Sequence, residues 1–235
     1  MSNELIIMIG AAATLALVHT VLGPDHYLPF IALARARGWT ARKTAAITAL
    51  CGVGHVAGSV VLGLVGIAAG ITLRRLEFIE SARGEIAAWL LIAFGLVYGA
   101  WGIVRAVRNR PHTHVHFHVN GTQHEHRHTH AEQHAHVHEN NRRTATAWTL
   151  FVVFVLGPCE PLIPLLMFPA AAESPAAVVA VAVVFGVVTI ATMTAVVLVS
   201  TLGLRRIPFR AAGRYGHAVA GIVIVLCGVA IHLGM

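Results

Sequence analysis

The stretch His19-Thr20-Val21-Leu22-Gly23-Pro24-Asp25-His26 sets two imidazoles and a carboxylate inside a run otherwise apolar enough to cross a bilayer. A charged Asp at the centre of a membrane helix costs about 2.5–3.5 kcal/mol on insertion scales, so such residues persist chiefly where they line an ion or substrate path. The Gly23-Pro24 pair predicts a break in the same place. Proline lacks the amide donor and disfavours helical dihedrals in the residue before it, and glycine tolerates the conformation that results. Pro24 then suits the first position of a new half-helix, with Asp25 at the positive end of its dipole.

The surroundings of that stretch place it in a membrane. Of the 235 residues, 57% are hydrophobic and 11% charged, and the mean hydropathy is +0.73, which excludes an ordinary soluble globular domain. Apolar windows at 4–33, 44–72, 85–107, 147–170, 175–204 and 214–234 each approach or exceed the ~20 residues that span the hydrocarbon core. They predict an all-α integral membrane protein with six transmembrane helices. Glu4 stands where a signal peptide would carry basic residues, so the first window is expected to stay in the mature protein.

Fourteen of the seventeen Lys and Arg fall in three alternate connections, leaving Arg74, Arg75 and Arg83 on the opposite side. The positive-inside rule then predicts a multi-pass cell (inner) membrane protein with both termini outside and the 108–146 loop cytoplasmic. The basic pI of about 10.4 follows from that topology; without a basic face supported by aromatics or a motif, no nucleic-acid partner is expected.

Shifting the sequence by 134 places lays Gly23-Pro24-Asp25-His26-Tyr27-Leu28 over Gly157-Pro158-Cys159-Glu160-Pro161-Leu162, and His55 over Thr189. Such a register predicts an internal repeat. The halves are residues 1–107 and 147–235, three helices each, with the 108–146 loop between them. An odd number of helices inverts the second copy, so the expected plan is two inverted three-helix repeats with broken first helices meeting near the midplane.

The chemistry at those breaks suits a transition metal. Imidazole binds nickel, copper, zinc and iron, and a carboxylate adds charge to the site. His19 and His26 lie two turns apart on one face of a continuous helix, and the Gly-Pro break can bring them closer. His55 on the next helix is expected to complete a His19, Asp25, His26 and His55 site, with Glu160 a further ligand or a proton-coupling carboxylate. Thr189 and Met193 are candidates to face it from the other half, and Cys159 is a further pathway candidate. Cys51 and Cys227 read as small buried apolar residues. Trp89, Trp101 and Trp148 read as interfacial anchors, and Gly52, Gly54, Gly58, Gly63, Gly66 and Gly70 as close-packing positions.

Eleven of the sixteen histidines lie in the loop: His112, His114, His116, His118, His124, His126, His128, His130, His134, His136 and His138. The tract reads as metal-buffering, Zn²⁺ included, and lacks the apolar residues for a packed core, so disorder without metal is expected. It fixes neither the direction of transport nor the metal.

The segment from His19 to Phe30, Gly-Val-Gly-His at 52–55, Gly-Pro-Cys-Glu at 157–160 and the His-rich loop resemble the nickel/cobalt transporter superfamily, in particular its six-helix urease-accessory branch. The resemblance implies Asp25, His26 and His55 as metal residues. In the better-known permeases four residues separate the first His from the Asp-His pair; here five separate His19 from Asp25. Gly-Pro-Cys-Glu-Pro-Leu-Ile-Pro is also similar to the Cys-Pro motifs of thiol-disulfide conduits related to cytochrome c biogenesis proteins, which use one cysteine from each half. Here the partner position of Cys159 is Asp25. A third alternative is a membrane metal sensor or buffer acting through its loop. The reading favoured by the residues is a secondary transporter of Ni²⁺ or Co²⁺ working by alternating access. It is not expected to be an enzyme or to hold a cofactor beyond its cargo. Its expected partners are the bilayer and the ion, with a metallochaperone or a second copy of the chain as candidate protein partners.

Overall fold

A computed structural model of the chain describes residues 3–108, 112–117, 123–128, 139–171, 174–205 and 212–234. Helix α1 (Asn3–Leu22) leads through a 3-10 turn (Pro24–His26) into the short α2 (Leu28–Ala36), followed by the long α3 (Ala41–Ala68) and α4 (Leu73–Arg108). Strands β1 (His112–Phe117) and β2 (Gln123–His128) form an antiparallel hairpin in the loop. Then come α5 (Glu139–Leu156), the short α6 (Leu162–Ala171), and the long α7 (Pro175–Arg205) and α8 (Ala212–His232).

The protein is a multi-pass membrane protein, and among the described residues its regular structure is helical apart from that strand pair. Among the described residues, five helices are long and apolar enough to cross a bilayer: Asn3–Leu22, Ala41–Ala68, Leu73–Arg108, Pro175–Leu204 and Arg214–His232. The sixth expected crossing is not one helix. Its window is interrupted between Leu156 and Leu162, where Pro158 and Pro161 each remove a backbone donor. Thr146–Leu156 and α6 are each shorter than a full crossing. Both halves of the chain therefore begin with an interrupted segment and continue into two long helices.

Turns between helices follow local chemistry. The Thr40 hydroxyl caps α3 by accepting from the Lys43 amide at 3.2 Å. After α3, Gly70 takes φ +65°, and the Ile71 amide donates back to Gly66 O at 2.9 Å, closing the helix with the left-handed residue glycine allows. Gly70 is thus a turn glycine, with nothing within 4 Å of where a Cβ would stand; the packing role expected of it belongs to the other five.

Helix contacts depend on small residues, as expected where lipid supplies no hydrophobic drive between helices. Along the α4–α8 interface a Cβ on Gly221 would stand 2.4 Å from Gly99 Cα, and one on Gly102 2.5 Å from the Ala218 amide nitrogen. On α3, Gly54 and Gly58 admit Val155 of α5, and Gly52 admits Ile190 and Met193 of α7. Apolar side chains such as Phe78, Val97, Phe168 and Val199 remain exposed on the outside, a surface suited to lipid. Trp89 and Trp148 are exposed, whereas Trp39 is buried and Trp101 packs on the His217 ring at 4.9 Å. Among the described residues the interior divides into two apolar clusters. One joins Phe30, Leu33, Leu150, Phe154 and Met193 with Cys51 and Cys227. The other joins Ala12, Ala16, Leu162, Leu166 and Phe185 with Cys159.

Candidate functional site

The first break creates the site. Helix α1 makes its last regular bond from the Gly23 amide to His19 O at 2.9 Å; Pro24 cannot continue the ladder, and the chain tightens into the 3-10 turn. Gly23 is extended at φ −86°, ψ 95°, so its left-handed freedom is not used here. Space requires it instead, because a Cβ would stand 2.5 Å from His26 Nδ1 and 3.0 Å from Asp25 Oδ1. Tyr27 carries the chain into α2, where Pro29 occupies the first turn.

This path folds His26 back onto His19. Seven residues of straight helix would separate them by about 10 Å along the axis, yet their ring centroids lie 4.7 Å apart. His55 reaches in from α3, its ring 5.0 Å from that of His26 and 6.5 Å from that of His19. One ring nitrogen from each of the three lies within 4.8 Å of the others, and no other group of three or more potential metal-ligating His, Cys, Asp or Glu side chains gathers this way among the described residues.

Hydrogen bonds determine which nitrogens are available. A carbonyl can only accept, so His55 Nδ1–H donates to Phe154 O at 3.3 Å. His26 Nδ1 faces Gly23 O at 3.2 Å and Asp25 Oδ1 at 3.3 Å and is the donor there too. The Nε2 atoms of His26 and His55 then carry lone pairs. Nε2 of all three histidines is buried without a partner; among the described residues the other such side-chain atoms are the hydroxyls of Thr48, Thr189 and Thr194. Outer groups that fix ring tautomers in this way are typical of metal-ligating histidines.

The remaining expected residues sit differently. Asp25 is not in the three-imidazole group; its carboxylate holds His26. Glu160 is exposed on the second break, outside the group. Cys159 is buried, its backbone amide donating to Glu80 Oε1 at 2.9 Å. Thr189 and Met193 are buried on α7, with Met193 set against Gly52 of α3. In the loop the backbone pairs His112 with His128, His114 with His126 and His116 with His124, in keeping with the alternating pattern of a strand. His118, His130, His134, His136 and His138 lie outside the described residues.

Sequence reading missed Glu80 and Arg83 as a pair, having counted Arg83 only as a loop charge. They stand at i, i+3 on α4, a spacing at which opposite charges meet on a helix, and that spacing was the available signal.

Residues 28–230 match the family described as the cytochrome c biogenesis protein transmembrane region. The chain belongs to that family. The cytochrome c biogenesis match overturns the assignment to the nickel/cobalt transporter superfamily, which rested on short motifs, and favours the alternative of a protein related to thiol-disulfide conduits. The family match begins at Leu28, after His19, Asp25 and His26, so two of the three clustered imidazoles precede it. No curated protein and no solved structure matches the chain significantly. All three cysteines of this family member are free and buried.

Proposed function

We propose that this member of the cytochrome c biogenesis transmembrane family binds a late first-row divalent cation, of which Ni²⁺ and Co²⁺ are representative, at His19, His26 and His55 and passes it across the membrane. The single observation supporting this is the set of three buried imidazoles whose Nε2 atoms have no partner. Buried polar atoms are normally satisfied, and three orphaned nitrogens on clustered imidazole rings suit a borderline cation. Metal–nitrogen bonds of about 2.0–2.1 Å in a tetrahedral arrangement put the ligand atoms ~3.4 Å apart. Nitrogens now spread within 4.8 Å then close by up to ~1.4 Å on binding. Asp25 orients His26 and offsets the charge of the cargo. The interrupted segments provide the hinge for alternating access, opening the site to one side at a time.

Flux of Ni²⁺ or Co²⁺ into proteoliposomes, comparing the full chain with His26→Ala, tests the proposal; equal flux would sink it. Because ligation needs neutral imidazoles, protons compete with the metal, and binding is expected to weaken as the pH falls.

Family membership supports a second reading, a thiol-disulfide conduit. It requires a second thiol with its Cα within about 7 Å of that of Cys159, whereas Cys51 and Cys227 belong to the other apolar cluster. Electron transfer that is lost in Cys159→Ser, with metal flux absent in the wild type, would favour it.

A further inference from the structure

An ion pair buried within the protein lies beside the second break. Glu80 is 1% exposed. Its Oε1 accepts from the Ser59 hydroxyl and from the Cys159 amide, and its Oε2 accepts from the Arg83 guanidinium. A second nitrogen of Arg83 donates to Val155 O at 2.9 Å. The neighbouring carbonyl, Phe154 O, accepts from His55 Nδ1 at 3.3 Å and from the Gly157 amide at 3.1 Å. Backbone groups freed where α5 stops are thus taken up by Glu80, Arg83 and His55, and a metal-site imidazole shares its anchor segment with the ion pair.

Packing leaves this segment little room. A Cβ on Gly84 would stand 2.7 Å from Pro158 Cγ, one on Gly58 2.6 Å from Val155 O, and one on Gly157 3.2 Å from His55 Nδ1. Glycines on α3 and α4 bring both helices against the break, and the Glu80–Arg83 pair fastens it there. A buried carboxylate is costly unless paired and hydrogen-bonded, and Glu80 is both.

We infer that Glu80 and Arg83 are positioning residues for the metal site: they clamp residues 154–159, which hold the His55 ring beside His19 and His26 through its Nδ1 and leave its Nε2 without a partner. The inference rests on the metal reading above. Release of the clamp lets Phe154 O move, and His55 loses the acceptor that sets its tautomer and orientation. Partners of this kind typically change metal affinity about 10–100-fold.

The test uses the full-length protein in lipid nanodiscs, titrated with Co²⁺ and followed by calorimetry and by the visible ligand-field spectrum. The signal scored is the component that His26→Ala removes, which separates the membrane site from the histidine loop. Glu80→Ala is expected to weaken that component about 10–100-fold and to alter its band shape. Glu80→Gln keeps an oxygen for Ser59 and Cys159 but loses the carboxylate facing Arg83, so its loss is expected to be partial. Glu85→Gln, at an exposed position on the same helix, is expected to bind as wild type does. An unchanged His26-dependent component in a folded Glu80→Ala protein overturns the inference while leaving the metal site standing. If Glu80→Ala does not fold, wild-type affinity and spectrum in Glu80→Gln overturn it equally. Absence of any His26-dependent component in the wild type overturns the metal reading and the inference together.

Discussion

The two Gly-Pro interruptions begin alike and are stabilised in opposite ways. At Gly23-Pro24 the polar work is local: Asp25 and His26 lie in the turn itself, and His26 Nδ1 meets Gly23 O and Asp25 Oδ1 within the same few residues. At Gly157-Pro158 the turn contributes backbone groups alone, and the side chains that satisfy them come from α3 and α4 as His55, Glu80 and Arg83, with Ser59 donating to Glu80 behind them. One break presents an imidazole and a carboxylate of its own, and the other is held as a platform for an imidazole from elsewhere. A proline break therefore need not carry chemistry where it occurs. Its freed carbonyls and amides can fix the side chains of neighbouring helices.

The comparison is broken most directly at the first interruption. His26→Ala removes a proposed ligand, and Co²⁺ affinity at the membrane site is expected to fall by more than the roughly 100-fold ceiling for outer groups, read by calorimetry. Next, the platform should be stability-critical. Glu80→Ala strands Arg83 in a buried setting, and losing one partner of such a pair costs about 3–5 kcal/mol. Thermal unfolding in nanodiscs checks this, and the Glu80→Ala/Arg83→Ala double variant is expected to lose less than the sum of the two singles.

Smaller effects sharpen the contrast. Gly23→Ala drives a Cβ to 2.5 Å from the His26 ring, whereas Gly157→Ala brings one only to 3.2 Å from the His55 ring. Overpacking of the first kind costs about 1–3 kcal/mol, and the second should cost less; metal titration and melting of the two variants rank them. The smallest effect is expected from Cys159→Ser, because that residue is engaged through its backbone amide. Metal flux should stay close to wild type, and its loss would move the argument towards thiol chemistry.

Much of this was legible in residue order. Hydropathy marked the crossing segments because lipid demands long apolar helices, and Gly-Pro marked both breaks because proline removes a donor wherever it sits. Asp25, His26 and His55 stood out as polar groups in apolar runs. Glu160 stood out by the same rule, yet it is exposed and outside the three-imidazole group; a repeat register gives a residue's station along the chain but not which side chains gather around it. The superfamily first suggested by short motifs gave way to a family match extending over residues 28–230.

The sequence by itself determined a membrane protein with interrupted helices and a histidine concentration near the first interruption, since polarity and proline act locally. Only the tertiary structure decided that His19 and His26, two turns apart in the chain, come within 4.7 Å between ring centres, that Asp25 serves one ring, and that Glu80 and Arg83 hold the opposite break. Those relations depend on how far each turn bends and which helix packs beside it. Contacts such as that between His55 and Phe154, 99 positions apart, leave no periodic trace in the residues between them.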